Sequence, residues 1–84
     1  MGDMTKRAEP QAYPGYATPN FVVRGSRWHV VASPWQEDAG SVEPNLPAGW
    51  TAWDPRRLYV GLYPDQQAAG EALVKHAGYE LLGD

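Results

Sequence analysis

Cysteine and isoleucine are both absent from this 84-residue chain, phenylalanine occurs once, and no apolar run approaches the length of a membrane span. Without cysteine there is no disulfide, no thiolate nucleophile and no Cys-based zinc site, which fits a cytoplasmic protein. The missing apolar run leaves neither a secretory leader nor a transmembrane helix to expect, so no membrane role is read. Basic residues are also few. Seven Lys and Arg stand against ten Asp and Glu, a formal charge of −3, which argues against affinity built on neutralising phosphates or anionic lipid. So few large aliphatics lean toward disorder, but four Trp and five Tyr reverse the leaning, since each ring buries roughly 150–250 Å² when it goes inside. One small domain with an aromatic-rich core is the expectation.

Catalytic chemistry lacks its usual constellations. His29 and His76 are the only histidines, and neither has a second ligand at a metal spacing. Ser26, Ser33 and Ser41 have no nucleophile context, and the glycines fall singly at turns rather than in a phosphate loop. Glu37, Asp38 and Glu43 cluster in a stretch that reads as a solvated acidic loop. No catalytic residue, metal site or cofactor is assigned, and the chain reads as non-enzymatic.

Along the chain, residues 1–19 carry Pro10, Pro14 and Pro19 without helical or strand periodicity and read as a disordered or loosely packed tail. Residues 20–84 form the domain. Residues 27–33 alternate as a strand, with Trp28, Val30 and Ala32 on one face and His29, Val31 and Ser33 on the other. Residues 21–23 pair with it through a turn at Arg24-Gly25-Ser26 or serve as an extended lead-in. Residues 35–49 have no period and read as a long loop pinned by Trp35 and Leu46. Residues 64–78 read as a helix with Pro64 in its first turn, Asp65 complementing the N-terminal dipole and Gly78 ending it. Its apolar stripe is Ala69, Ala72, Leu73, His76 and Ala77, with Glu71 and Lys75 pairing on the other side. Residues 79–82 add a short strand or simply pack their leucines.

The densest aromatic stretch is residues 48–63, a hairpin turning at Asp54-Pro55-Arg56-Arg57, where Asp at the first position and Pro at the second suit a type I turn. A turn of that length sets Trp53 opposite Leu58 and Trp50 opposite Gly61. One face then holds Thr51, Trp53, Leu58, Val60 and Leu62; the other holds Trp50, Ala52, Tyr59, Gly61 and Tyr63. The fold expected is α+β, a small three-stranded antiparallel sheet with short extra strands optional at 21–23 and 79–82, and one C-terminal helix packed on the aliphatic face of Leu58, Val60 and Leu62. Trp50, Tyr59 and Tyr63, flanked by Arg56 and Arg57, are left as a partner-binding face, these being residue types enriched at binding hot spots. The alternative is that the tail, the long loop or a second subunit covers that face.

The run Trp50-Thr51-Ala52-Trp53-Asp54-Pro55-Arg56-Arg57-Leu58-Tyr59-Val60-Gly61-Leu62-Tyr63 followed by an Ala-rich helix resembles arm-type integrase DNA-binding domains, a resemblance that implies a sheet reading DNA. That family is basic, whereas this hairpin sets only Arg56 and Arg57 against Asp54. Tyr59, Val60, Gly61, Leu62 and Tyr63, then Ala69, Ala72, Leu73, Gly78 and Tyr79, are similar to one half of a SPOR peptidoglycan-binding domain. Each resemblance spans about thirty residues. The chain as a whole is similar to small accessory proteins of actinobacteria and their phages. The function expected is a protein-binding module, an accessory or phage protein engaging a host or partner protein in the host cytoplasm. A nucleic-acid-binding sheet, not favoured by the charge, and a carbohydrate or peptidoglycan platform are the alternatives. A homodimer through the open sheet face is compatible with the first.

Overall fold

Strand propensity in β1 (Tyr16–Arg24) and β2 (Arg27–Ser33) folds the first half of the chain into a hairpin around Gly25 and Ser26, with Gly25 at φ 66°. A glycine accepts that left-handed backbone without steric cost. The computed structural model describes residues 15–81. After β2 come β3 (Glu37–Asn45), β4 (Gly49–Trp53), β5 (Tyr59–Tyr63), α1 (Gln66–His76) and β6 (Glu80–Leu81). The strands form one curled mixed sheet in the order β5-β4-β3-β2-β1-β6. Its first five strands are an antiparallel meander, and β6 closes the far edge by pairing parallel to β1 at Tyr16 and Ala17. The α+β class agrees with the sequence, but six strands replace the expected three. β1 begins at Tyr16, inside the stretch read as a tail; the rest of that reading, residues 1–14, lies outside the described residues.

The largest departure is β3, which occupies most of the expected loop. Its residues Ala39, Gly40, Ser41 and Val42 are buried in succession. Strict alternation is broken by an irregularity opposite Val30 and Val31, where Val30 pairs with Gly40 and Val31 with Asp38. An inserted residue of this kind bends the strand and removes the period-two signal. β3 is a central strand made of small residues, and its stability comes from neighbours on both sides rather than from its own propensity.

The helix packs on the face of the sheet that carries Phe21, Val30, Val42, Ala52 and Trp50. Asp65 caps it, its carboxylate accepting a hydrogen bond from the Ala68 N–H at 2.8 Å, an arrangement worth about 1 kcal/mol. Gly78, at φ 106°, follows the C-cap Ala77. The buried stripe is Ala69, Gly70, Leu73 and Val74, so it is rotated from the one expected; Ala72 is half-buried, and His76 and Ala77 are exposed. Gly70 explains the rotation. A Cβ there would stand 2.5 Å from the Phe21 ring and 3.1 Å from Pro19, and its absence lets the helix axis approach β1. Glu71 accepts from the Gln67 side chain at 3.0 Å.

The β4–β5 register also differs from the expected one. Trp50 pairs with Tyr63, Thr51 with Leu62, Ala52 with Gly61, and Trp53 with Tyr59. The turn at Asp54 is the one anticipated, but Arg57 adds a left-handed residue at φ 69°, and a second irregularity lies between Ala52 and Trp53. The two faces keep their expected membership except that Tyr59 and Val60 exchange sides across the irregularity, and the helix covers the face of Trp50, Ala52 and Tyr63 instead of the aliphatic one, Val60 alone of the expected aliphatic core packing against it. Trp50, Ala52, Val60 and Tyr63 pack toward the core, whereas Leu58 and Leu62 are exposed. Tyr59 changes sides and joins Trp53.

Candidate functional site

The second face of the sheet has no described helix or strand layer over it. By register it carries Val22, His29, Val31, Ser41, Thr51, Trp53, Tyr59 and Leu62. Val31, Ser41 and Thr51 are nevertheless buried. Exposure is concentrated at the β4–β5 end, where Leu58 is 60 %, Tyr59 63 % and Leu62 43 % exposed.

Asp54 builds this end. Its carboxylate accepts from the backbone N–H groups of Arg56 at 2.9 Å and Leu58 at 2.8 Å. Its own N–H donates to the Leu58 carbonyl, and the Arg57 N–H donates to the Asp54 carbonyl, both at 2.9 Å. The turn is thereby fixed in the form that holds Arg57 in the left-handed region. Trp53 is held from three directions. Its indole N–H donates to Glu43 at 2.9 Å, its ring meets Tyr59 edge to face with centroids 5.8 Å apart and planes at 74°, and the Arg57 guanidinium stands 5.7 Å above it. Edge-to-face pairs and cation–π contacts each contribute on the order of 1 kcal/mol. The result is a half-exposed aromatic surface whose side chains are fixed in place.

Of the residues read from the sequence as a partner-binding face, Tyr59, Arg56 and Arg57 lie at this end. Trp50 and Tyr63 pack beneath the helix and do not join them. Trp53 and Leu62 share a face with Thr51 as the alternation predicts, but the choice of that face for the helix, made on its aliphatic content, sets them and Leu58 in the core, where the structure does not place them. The sequence signal for the change of side at Tyr59 is the length of the turn, since a type I turn followed by one left-handed residue advances the pairing by one.

No family model, no curated protein and no solved structure matches the chain.

Chemical capacity around the hairpin is small. His29, Asp38, Gly40, Ser41, Asp54, Pro55 and Arg57 border a hollow of about 40 Å³, space for water rather than for an organic substrate. His76 stands 3.9 Å from the Asp54 carboxylate, linking the helix end to the turn. Among the described residues no group of three or more His, Cys, Asp or Glu could hold a metal ion, and no helix is long and apolar enough to cross a membrane.

A second aromatic group lies at the opposite edge of the sheet. The Trp35 indole N–H donates to the Tyr16 carbonyl at 2.7 Å, and its ring runs parallel to that of Tyr79, with planes at 9° and centroids 6.5 Å apart. The Tyr79 hydroxyl donates a hydrogen bond to Glu37. That bond first, then burial and the negative charge of Glu37, push the Tyr79 pKa from 10.0 up to about 12. A folded-state pKa above the unfolded value stabilises the fold fully below the unfolded pKa, and the contribution is lost as pH rises from about 10 through about 12. Ultraviolet titration is expected to resolve one late-ionising tyrosine that moves back toward the ordinary range in Glu37→Ala. An unchanged titration in that variant would show that Glu37 is not the cause.

Proposed function

We propose that this chain is a protein-binding module that uses the exposed end of the β4–β5 hairpin as its contact surface. The observation that carries the reading is Trp53, held by Glu43, Tyr59 and Arg57 and sharing its face with the exposed Tyr59 and Leu62. Aromatic and arginine side chains fixed before binding lose little entropy on contact, and apolar residues grouped around them exclude water from it. Isolated exposed leucines would carry no such meaning. Arg56 and Arg57 at the tip favour a partner surface that pairs an apolar patch with a carboxylate. The setting proposed is the cytoplasm, with the chain acting as a small accessory or phage protein on a host factor.

Photo-crosslinking from positions 59 and 62 in the native host tests this. The expected result is one shared adduct from both positions, none from position 67 on the outer side of α1, and loss of the adduct in Trp53→Ala. An adduct of two copies of the chain would make the partner a second protomer. Equal crosslinking from position 67 would mean that the hairpin is not the contact surface.

A further inference from the structure

At the β6 edge of the sheet, Tyr16, Lys75, Tyr79, Glu80 and Leu81 line an open cleft of about 320 Å³. That volume lies within the range of roughly 300–1,000 Å³ used by small-ligand sites. Trp35 is outside the lining but holds two members of it, by its hydrogen bond to the Tyr16 carbonyl and its parallel contact with the Tyr79 ring. Trp35 is 47 % and Tyr16 51 % exposed, so Trp35 is fixed in orientation while its ring remains in contact with water.

The charges around the cleft select among ligands. Lys75 opposes a cation, and Glu80 on the lining, with Glu37 behind the Tyr79 hydroxyl, opposes an anion. A neutral molecule rich in hydroxyls meets no such opposition. Its hydroxyls find donors in the Lys75 ammonium and acceptors in the Glu80 carboxylate and the Tyr79 oxygen, and its C–H faces find aromatic rings and Leu81. We infer that this cleft binds a saccharide, with Tyr16 and Tyr79 as the aromatic surface, Trp35 positioning both of them, and Lys75 and Glu80 as the hydroxyl-recognising groups. The site is on the sheet edge opposite the β4–β5 hairpin and is independent of the protein contact proposed there.

The intact chain, labelled for amide and indole NMR, is titrated separately with millimolar maltotriose, cellotriose and chitotriose. At least one is expected to produce saturable shifts at Tyr16, Trp35, Lys75 and Tyr79. Trp35→Ala is expected to weaken binding about tenfold. Lys75→Met, a change on the exposed side of the helix that leaves the core untouched, is expected to weaken it as well, while Leu46→Ala leaves it unchanged. Absence of saturable shifts with all three sugars would overturn the inference, as would shifts that persist undiminished in both Trp35→Ala and Lys75→Met. Choline or inorganic phosphate saturating the same resonances when the sugars do not would assign the cleft to a charged ligand and overturn it equally.

Discussion

Gly40→Ala is expected to leave the chain largely unfolded at room temperature. Gly40 sits at φ 131°, a backbone region open essentially to glycine alone, and its central position in β3 places it beside the end of β4. A methyl group there would fall on the Trp53 carbonyl oxygen and within 3.1 Å of the Asp54 Cα. Both obstacles are backbone, so no side-chain rotation relieves them. The conformational term costs about 1–3 kcal/mol and the overpacking another 1–3 kcal/mol or so. A domain this small sits near the lower end of the roughly 5–15 kcal/mol typical of folded proteins. Gly25→Ala provides the comparison, because Gly25 also has a positive φ but nothing lies within 4 Å of an added methyl. It is expected to cost about 1 kcal/mol. Amide NMR dispersion separates the two, and a well-dispersed Gly40→Ala spectrum at full stability would contradict the structure of the β3–β4 contact.

Leu73→Ala is the second large effect. Leu73 has no solvent exposure and is the largest of the fully buried side chains, the others being Val30, Val42 and Val74. The rest of the core is mostly alanine, which leaves few side chains able to collapse into a vacated space. Removing it is expected to cost about 2–5 kcal/mol, and at about 4–8 °C per kcal/mol for a domain of this size the melting midpoint falls by about 8 °C or more. Urea unfolding with an unchanged slope and a lower midpoint is the confirming result. A loss of stability below about half a kcal/mol would mean that the helix is not packed on the sheet as described.

These two positions also mark how far the sequence could be read. The alternation of residues 27–33 named β2 and both of its faces correctly, because a strand bordered by partners on each side and covered on one face keeps its period. The helix was legible from Asp65, Leu73 and Gly78, but its rotation was not. That depends on Gly70 meeting Phe21, a contact between residues distant in the chain that no local pattern records. β3 was invisible because its buried residues are Ala39, Gly40, Ser41 and Val42, three of them small and none alternating. The hairpin was legible as far as its turn. The left-handed backbone at Arg57 and the irregularity between Ala52 and Trp53 moved Tyr59 and Val60 across the hairpin, and arginine carries no compositional signal for that conformation; which face the helix covers was set by Trp50 and Tyr63 packing on it, not by aliphatic content. Of the candidate site, Tyr59, Arg56 and Arg57 could be named in advance, whereas Trp53 and Leu62 followed from the helix covering the face of Trp50 and Tyr63. The Trp35–Tyr79 group joins a turn to the segment after the helix, and only the parallel pairing of β6 with β1 brings the two together.

Arg57 itself has a consequence for how this hairpin can change. Glycine would hold φ 69° more easily than arginine does, so a chain under selection for stability alone has a simple replacement at this position. That replacement would also remove the guanidinium above Trp53. Backbone ease and surface chemistry pull in opposite directions at one residue: Arg57→Gly would relax the turn and give up the contact over the indole.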